Sequence, residues 1–329
     1  MVRSGTGQAP ARQYPTAHRR LHVVDFAGGG RRRSPVARRE PQDRRGDQNR
    51  PSENALDTEL TDETRHRESP RVALVTGATG AIGKAIARRI AARSEHEVVL
   101  LCRDAAKAEA ALADIQRRTG NPRVRYALVD LARQASIAAL AACWAGPVHV
   151  LVNTAAVAPR RREETPEGIE LQFATNVLGY FWMITAFRKH LTDSAPARVV
   201  NVASYWAGGL DLADLEFRRR PYDNDAAYRQ SKQADRMLTA AFAERLKDAD
   251  VTVNARHPGD VVSTLSRDLG FGGHETPDQA ALTPAWLATE AIGAMATGKY
   301  FEGQREVTCP FGADRDAVEA LHRACEGYG

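Results

Sequence analysis

The sequence has few cysteines and no long apolar run. Its four cysteines are widely spaced among 329 residues and form no CxxC pair and no metal-ligand cluster. This spacing excludes a disulfide framework and a zinc site, so we expect reduced thiols and no bound metal. No apolar stretch approaches the roughly 20 residues that a membrane-spanning helix needs. We therefore expect a cytoplasmic chain without a membrane span.

Lysine is absent from residues 1–69, which differ in composition from the rest of the chain. This segment holds 14 arginines and 10 acidic residues, so it carries +4 of the net charge of +5. Because so little net charge remains for the other residues, we expect no nucleic-acid partner for the folded part. Apolar residues in the segment are scattered without a period and cannot offset the entropy of ordering. We predict a disordered Arg-rich extension.

The favoured interpretation of this segment is a solvated tail, or an extension upstream of the true start. Three functional alternatives compete with it. A secretion signal built on Arg19-Arg20 lacks the sustained apolar stretch that it would need. A transit peptide is disfavoured by the acidic residues between positions 47 and 68. A nucleic-acid-binding arm remains an alternative, and it would be compatible with enzyme activity in the rest of the chain.

A strand, a glycine-rich turn and a helix follow one another from residue 71. Residues 72–76 are apolar, residues 84–93 form an Ala-rich helical stretch, and Gly77-Ala78-Thr79-Gly80-Ala81-Ile82-Gly83 stands between them. In this context glycines let the backbone approach a pyrophosphate, and the helix N-terminus presents N–H groups and a favourable dipole. We therefore predict a dinucleotide-binding turn. The structural alternative is a tight turn without a ligand.

The end of the second predicted strand bears on which dinucleotide binds. Residues 97–101 are followed by Cys102, Arg103 and Asp104. An acidic residue at this strand end would bind the ribose 2′-hydroxyl, whereas an arginine would bind a 2′-phosphate. We therefore favour NADP(H), with NAD(H) as the alternative. Arg103 would be the phosphate contact, and Asp104 would cap the next helix.

Strands and helices continue to alternate along the chain. The pattern predicts helices at 105–119, 134–144, 166–190 and 225–247, and strands at 124–129, 148–152, 198–202 and 251–255. Such alternation implies a parallel sheet, so we predict an α/β fold with a Rossmann-type doubly wound sheet. Residues 70–305 would form this single domain, and residues 306–329 would form a C-terminal tail.

Tyr228 and Lys232 are the residues that we expect at the centre of the chemistry. Four positions apart on a predicted helix, they lie on one face about one turn from each other. A phenol has a pKa of about 10, and a neighbouring ammonium lowers that pKa by favouring the phenolate. Tyr228 could then give or take a proton near neutral pH. The plain alternative is an amphipathic helix with a half-buried tyrosine and a solvated lysine.

These features resemble the motifs of the short-chain dehydrogenase/reductase superfamily, and within it those of the retinol dehydrogenase group. The resemblance covers residues 70–305. It rests on residues 76–83, Cys102-Arg103-Asp104, Asp130-Leu131, Asn153-Thr154-Ala155, residues 176–179, residues 201–204, residues 228–232 and His257-Pro258-Gly259, in this order. Residues 287–289 and 297–301 are also similar to this group.

The resemblance implies four catalytic residues. Tyr228 would exchange a proton with the substrate oxygen, Ser204 would hydrogen-bond that oxygen, and Lys232 would bind the nicotinamide ribose. Asn176 would hold a water that links Lys232 to solvent. Plain alternatives exist, because Asn176 could be satisfied by backbone and Ser204 could end a strand without touching substrate. Implied cofactor contacts, besides Arg103, Tyr228 and Lys232, are Gly77, Thr79, Gly80, Ala81, Ile82, Gly83, Asp130, Leu131, Asn153, Ala155, Pro258, Gly259, Val261 and Ser263.

The chain departs from the family pattern at two positions. Ala81 replaces the middle glycine of the turn, so the string reads TGxxGxxG, a spacing common among nucleotide-sugar epimerases. Ala156 replaces a glycine near the nicotinamide side. An epimerase-type enzyme and a non-catalytic dinucleotide-binding regulator are therefore kept as alternatives. The missing long substrate domain disfavours the first, and the intact Ser204, Tyr228 and Lys232 disfavour the second.

The segments expected to cover the site predict a lipophilic substrate. Loops carry specificity, and the family places its variable loops at positions that correspond to residues 205–224 and 260–284. Their apolar and aromatic residues are Tyr205, Trp206, Leu210, Leu265, Leu269 and Phe271. We expect a lipophilic or aromatic ketone, aldehyde or secondary alcohol. The chain has no apolar N-terminal anchor, so a membrane-bound retinoid enzyme is not implied. The resemblance implies a homodimer or homotetramer through the two long helices.

Overall fold

An eight-stranded sheet organises the computed structural model, which describes residues 69–329. The strands are β1 (Arg71–Thr76), β2 (His96–Cys102), β3 (Val124–Leu128), β4 (Val150–Asn153), β5 (Ala197–Val202), β6 (Val251–His257), β7 (Tyr300–Glu302) and β8 (Arg305–Val307). Except for Ser69, the predicted disordered extension of residues 1–69 lies outside the described residues.

The strand order confirms the predicted Rossmann-type α/β fold. The strands lie in the order β3-β2-β1-β4-β5-β6-β7-β8, and only the β7–β8 pair is antiparallel. The chain reverses direction across the sheet between β1 and β4, and open α/β sheets bind ligands at the carboxyl ends of the strands at such a point. The strands β7 and β8 were not predicted.

Helices cover both faces of the sheet. They are α1 (Ala81–Ala91), α2 (Ala105–Thr119), α3 (Gln134–Ala142), α4 (Gly179–Ala186), α5 (Arg188–Asp193), α6 (Asn224–Leu246), α7 (Thr264–Asp268), α8 (Pro277–Ala280), α9 (Leu282–Thr289), α10 (Ala291–Met295) and α11 (Arg315–Glu326). Successive side chains of β1 enter opposite cores, since Leu74 packs in one cluster and Val75 in the other. A strand buried on both faces is continuously apolar, as its sequence predicted.

The helix predicted at 166–190 begins later in the structure. Gly168 has φ of +80°, a left-handed conformation that interrupts the helix. The Glu170 carboxylate accepts hydrogen bonds from the N–H groups of Gln172 and Phe173 at 2.8 and 2.7 Å, so it caps the helical segment that starts there. Phe173–Leu178 has π-helical geometry, a local widening that is frequent at functional sites.

Residues 306–329, expected as a tail, contain the packed helix α11. Val318, Leu321 and Cys325 are buried in the core and are spaced three and four apart, so they share one face of α11. Asp314 caps the helix by accepting from the Ala317 N–H at 3.0 Å. The helix packs against α6.

The segment 260–284, expected as a loop, contains the short helices α7 and α8 and the start of α9. Ser263 and Thr276 each form a capping box at the start of α7 and α8, respectively. None of the described helices combines the length and the apolar character that crossing a membrane would require.

Candidate active site

The glycine turn brings the start of α1 against the ends of β1 and β4. Gly77 has φ of +62°, and a Cβ atom there would meet the Cα of Ala155 at 2.8 Å. The Gly80 N–H donates to the Gly77 carbonyl oxygen at 2.9 Å. No side chain caps the N-terminus of α1. Its first N–H groups, together with the helix dipole, therefore suit a phosphate.

A cleft of about 400 Å³ opens in front of this turn. The structure brings eleven of the predicted cofactor residues to its walls: Gly77, Thr79, Gly80, Ala81, Ile82, Gly83, Arg103, Asp130, Leu131, Ala155 and Ser263. A smaller cavity of about 50 Å³ adjoins the cleft, because Ile82, Thr154 and Ala156 line both. That cavity is lined by Pro258, Gly259, Val261, Tyr228 and Lys232, all of them predicted site residues.

Asn153 is the predicted cofactor residue that lines neither space. Its side chain is fully buried at the end of β4, where the amide nitrogen donates to Asn201 Oδ1 at 3.0 Å. Asn201 in turn donates to Thr239 Oγ1 at 2.9 Å. Successive strand residues point to opposite faces, and Asn153 points into the protein. Its side chain links β4 to β5, and a cofactor contact of Asn153 remains a prediction.

Thr76, which belongs to the family motif but was not predicted as a site residue, joins the ends of β1 and β4. Its hydroxyl oxygen accepts from the N–H groups of Thr154 and Ala155 at 2.9 and 3.3 Å. These hydrogen bonds fix the backbone that forms the cleft floor. The position of Thr76, as the last residue of a strand before the glycine turn, could have indicated this role from the sequence.

Tyr228 lies on α6 and is 7% exposed. Burial raises its pKa above the ordinary value, and the Lys232 ammonium and a hydrogen bond with Ser204 offset only part of that rise. Lys232 lowers the pKa as predicted, but the net direction is opposite to the predicted one. The physical reason is that a phenolate loses its hydration in this buried position. The phenol is therefore the resident form at neutral pH.

Lys232 is fully buried beside Tyr228, with its Nζ 5.8 Å from the centre of the phenol ring. Nζ donates to the Val202 carbonyl oxygen at 3.1 Å and to Asp235 Oδ2 at 2.8 Å. Burial is the largest single effect and disfavours the ammonium, but Asp235, Tyr180 and Tyr228 together outweigh it, so the pKa of Lys232 lies above its ordinary value. Sequence reasoning missed Asp235, although the i, i+3 spacing from Lys232 predicts this contact.

Ser204 follows β5 and is 5% exposed. Its hydroxyl oxygen accepts from the Trp206 N–H at 3.0 Å. Its carbonyl oxygen accepts from Arg236 at 2.5 Å, and the Arg236 guanidinium lies 3.6 Å from the centre of the Tyr300 ring. Arg236, a second residue missed in the sequence, thus fixes the backbone of Ser204 from behind the site.

Asn176 lies in the π-helical segment Phe173–Leu178, whereas Tyr228 lies on α6. Its Oδ1 accepts from the Val157 N–H at 2.9 Å, and its Nδ2 donates to the Val157 carbonyl oxygen at 3.0 Å. Nδ2 also lies 3.2 Å from Ser231 Oγ. Within residues 69–329, no direct hydrogen bond joins Asn176 to Lys232. The backbone partner foreseen as the plain alternative is present, and the water link remains a prediction.

Leu265 and Phe271 supply apolar surface next to Tyr228, as predicted. Trp206 packs on Phe271 with ring centres 5.5 Å apart. Tyr205 is 49% exposed and its ring packs edge-on against His257. Leu210, by contrast, packs against the main core. Leu265 and Phe271 therefore give part of the cavity wall an apolar character, and Trp206 packs behind Phe271.

The family model described as short chain dehydrogenase matches residues 71–270. The chain belongs to the short chain dehydrogenase family. This membership confirms the resemblance found in the sequence and makes the chain an oxidoreductase that depends on a nicotinamide dinucleotide.

Characterised and uncharacterised members of the family are similar over most of the chain. Retinol dehydrogenase 13 of Mus musculus is 38% identical over 272 residues, covering 76% of this chain and 81% of that protein. A probable oxidoreductase of Streptomyces antibioticus is 35% identical over 257 residues, covering 72% and 86%. The similarity to retinol dehydrogenases agrees with the group named from the sequence.

Solved structures are similar to the described fold. An uncharacterised protein of Mycobacterium paratuberculosis has a TM-score of 0.65 at 27% identity, covering 79% of this chain and 96% of that one. A metagenomic short-chain oxidoreductase, solved in complex with NADP, has a TM-score of 0.54 at 27% identity and covers 70% and 95%.

Proposed function

We propose that this short chain dehydrogenase uses NADP(H) to interconvert a lipophilic ketone or aldehyde and the corresponding alcohol, with Tyr228 as the general acid and base. The observation that carries the proposal is the adjacency of two spaces. The cavity lined by Tyr228 and Lys232 shares wall residues with the cleft formed by the glycine turn. A dinucleotide in the cleft would therefore reach the phenol with its far end.

The walls of the cleft fit such a cofactor. The uncapped N-terminus of α1 and the glycine turn would hold the pyrophosphate. Arg103 lines the cleft after β2, and its guanidinium would pair with a 2′-phosphate. When bound, the nicotinamide supplies or accepts the hydride. The choice of cofactor is supported by the metagenomic relative, which was solved in complex with NADP.

Residues of the chain would transfer the proton and position the substrate oxygen. The Tyr228 hydroxyl would donate to the carbonyl oxygen as the alcohol forms, and the reverse reaction would return the proton to the phenolate. The Ser204 hydroxyl would hydrogen-bond the same oxygen and hold it in place. The Lys232 ammonium would stabilise the phenolate that remains. We keep Asn176 as a positioning residue that orders the backbone of Val157 at the cleft wall.

The substrate class follows from the apolar side of the cavity. Leu265 and Phe271 line it, and Trp206 extends this surface. Several relatives are named retinol dehydrogenases, and retinol is an alcohol of this lipophilic kind. We therefore propose a lipophilic or aromatic carbonyl compound, and retinal belongs in the first substrate panel.

The test is a substrate screen with the purified full chain. NADPH oxidation would be followed with retinal, aromatic ketones, alkyl aldehydes and, as a polar control, a hydroxylated sugar aldehyde. We expect turnover with the lipophilic compounds and little with the sugar. NADPH binding, measured separately by nicotinamide fluorescence, separates the alternatives.

Three results would contradict parts of the proposal. Tight NADPH binding without turnover of any compound would favour the dinucleotide-binding regulator. Conversion of a nucleotide sugar to its epimer, assayed separately because it consumes no net NADPH, would favour the epimerase. Absence of binding would show that the Gly80-Ala81 turn does not hold the cofactor.

The cytoplasmic location and the homodimer or homotetramer also remain our proposals. The predicted dimer interface consists of the two long helices predicted at 166–190 and 225–247. In the structure, α11 packs against part of both segments. His322 of α11 packs edge-on against Phe181 of α4 and Phe242 of α6. Sedimentation of the purified chain would measure the oligomeric state directly.

A further inference from the structure

Lys232 and Asp235 form a buried ion pair that the family resemblance did not assign. Nζ of Lys232 lies 2.8 Å from Oδ2 of Asp235, and neither side chain has any exposed surface. The other hydrogen bond of the ammonium goes to the backbone oxygen of Val202. Oδ1 of Asp235 has no hydrogen-bond partner among the described residues. The carboxylate is therefore directed at this one ammonium.

The ion pair lies on the same face of α6 as the phenol. Tyr228, Lys232 and Asp235 are spaced four and three apart, which places them in one row along the helix. The ammonium lies between the phenol and the carboxylate in this row. It donates to the carboxylate, and no hydrogen bond from Nζ to Tyr228 is present within residues 69–329.

We propose that Asp235 is a positioning residue that holds the Lys232 ammonium and neutralises part of its charge, so that Tyr228 stays a protonated phenol ready to donate to a carbonyl oxygen. The inference rests on the proposed function, because it concerns the proton that Tyr228 gives. Its consequence is a site suited to carbonyl reduction at neutral pH. Alcohol oxidation, which needs the phenolate, would require a higher pH.

The groups that face the ion pair from other elements do not replace Asp235. Tyr180 of α4 lies with its ring centre 5.1 Å from Nζ, and burial raises its pKa, so it is neutral. Cys325 of α11 is also neutral, because burial raises its pKa to about 12. Asp260, which follows β6, adds a smaller rise to the pKa of Tyr228. Asp235 is thus the one carboxylate that hydrogen-bonds the ammonium among the described residues.

Removal of the carboxylate charge should change the field at the phenol in a defined direction. Burial is the largest cause that raises the pKa of Tyr228, and Asp235 raises it further, while Lys232 lowers it. Without the carboxylate charge, the ammonium acts on the phenol undiminished. A charge within about 4 to 6 Å changes a pKa by about one to three units, so the more distant Asp235 carboxylate should have a smaller effect in the same direction. Asp235→Asn keeps the size of the side chain and removes only the charge.

The experiment measures the titration of Tyr228 itself and needs no substrate. The chain is labelled with 13Cζ-tyrosine, and the Tyr228 resonance is assigned by its absence in Tyr228→Phe. The label is titrated over the alkaline range in which circular dichroism shows a folded protein. Because turnover is not used, a failure of the proposed function would leave this result intact.

We expect the midpoint of Tyr228 in Asp235→Asn to lie below that of the wild type, by up to about one pH unit. If the wild-type phenol does not titrate before unfolding, titration of the variant within the range is the expected result. Glu244→Gln is the matched control, because it removes an exposed carboxylate of α6 that pairs with Lys247, just beyond the end of the helix. This control should leave the midpoint unchanged.

An unchanged or higher midpoint in Asp235→Asn overturns the proposal. A higher midpoint would show that Asp235 serves to keep Lys232 charged, not to restrain it. If Asp235→Asn does not fold, Asp235→Ser provides a second uncharged side chain with the same expectation. A purely structural role for Asp235 would lower the melting temperature without moving the midpoint of Tyr228.

Discussion

Gly83 packs directly against the backbone of Gly77. A Cβ atom on Gly83 would lie 2.4 Å from the Gly77 carbonyl oxygen, far inside van der Waals contact. This close approach brings the first turn of α1 against the loop that is proposed to hold the pyrophosphate. The third glycine of the turn is thus required by packing between helix and turn, and not by an unusual backbone angle.

Gly83→Ala should loosen this turn. The added methyl group must displace the backbone of Gly77, and overpacking of this kind costs about 1 to 3 kcal/mol. We expect a lower melting temperature and weaker NADPH binding. Gly272→Ala is the control for stability, because a Cβ there meets nothing within 4 Å. Wild-type cofactor affinity in Gly83→Ala would contradict the assignment of the turn.

Arg103→Ala should reduce the affinity for NADPH much more than that for NADH. A hydrogen bond to a charged group contributes about 1.5 to 3 kcal/mol, which corresponds to a loss of affinity of about tenfold to a hundredfold. Both dissociation constants can be measured by nicotinamide fluorescence. Arg117→Ala removes an arginine that is 72% exposed on α2 and serves as the control. Equal losses for the two cofactors would exclude Arg103 as the 2′-phosphate contact.

Leu321→Ala tests whether α11 is part of the core. Leu321 is fully buried, and truncation of a buried leucine costs about 2 to 5 kcal/mol. We expect a loss of this size in denaturant unfolding. Leu282→Ala, at a position that is 45% exposed, should change stability little. Equal, small effects at the two positions would contradict the packing of α11 in the core and support the prediction that residues 306–329 form a tail.

His96 predicts a pH dependence of stability. Burial lowers the pKa of His96 from 6.5 to about 4, so between these values the unfolded chain binds more protons than the folded one. The contribution of His96 is therefore present above pH 6.5 and is lost as the pH falls toward 4. His96→Phe removes the titrating group, and its free energy of unfolding should depend less steeply on pH in this window. An unchanged slope would contradict the prediction.

Local sequence patterns were enough to predict most of the fold and the positions of the proposed catalytic residues. Doubly buried strands such as β1 are continuously apolar, and the glycine turn stands between a strand and a helix. The four-residue spacing of Tyr228 and Lys232 on a helix placed them correctly on one face. These features depend on neighbouring residues, so the sequence carries them directly.

The direction and depth of individual side chains could not be predicted in the same way. Asn153 turned into the protein because its partner Asn201 lies on the adjacent strand, 48 positions away. Asp235 resembles a solvated helix carboxylate until tertiary packing buries it with Lys232. Burial also reversed the expected pKa shift of Tyr228, since desolvation depends on everything packed around the ring. The three- and four-residue spacing of Val318, Leu321 and Cys325 indicates the buried face of α11, but this short helix was not predicted.

The central claim is that Tyr228 transfers the substrate proton, and Tyr228→Phe tests it most directly. Turnover with NADPH and a carbonyl compound found in the screen would be compared with wild type, together with NADPH affinity. We predict that turnover falls by about 10²- to 10⁴-fold while NADPH affinity changes much less. Tyr126→Phe, which changes a tyrosine bonded to Glu109 at the outer edge of the sheet, should be fully active. Wild-type turnover in Tyr228→Phe would show that the proton comes from another group.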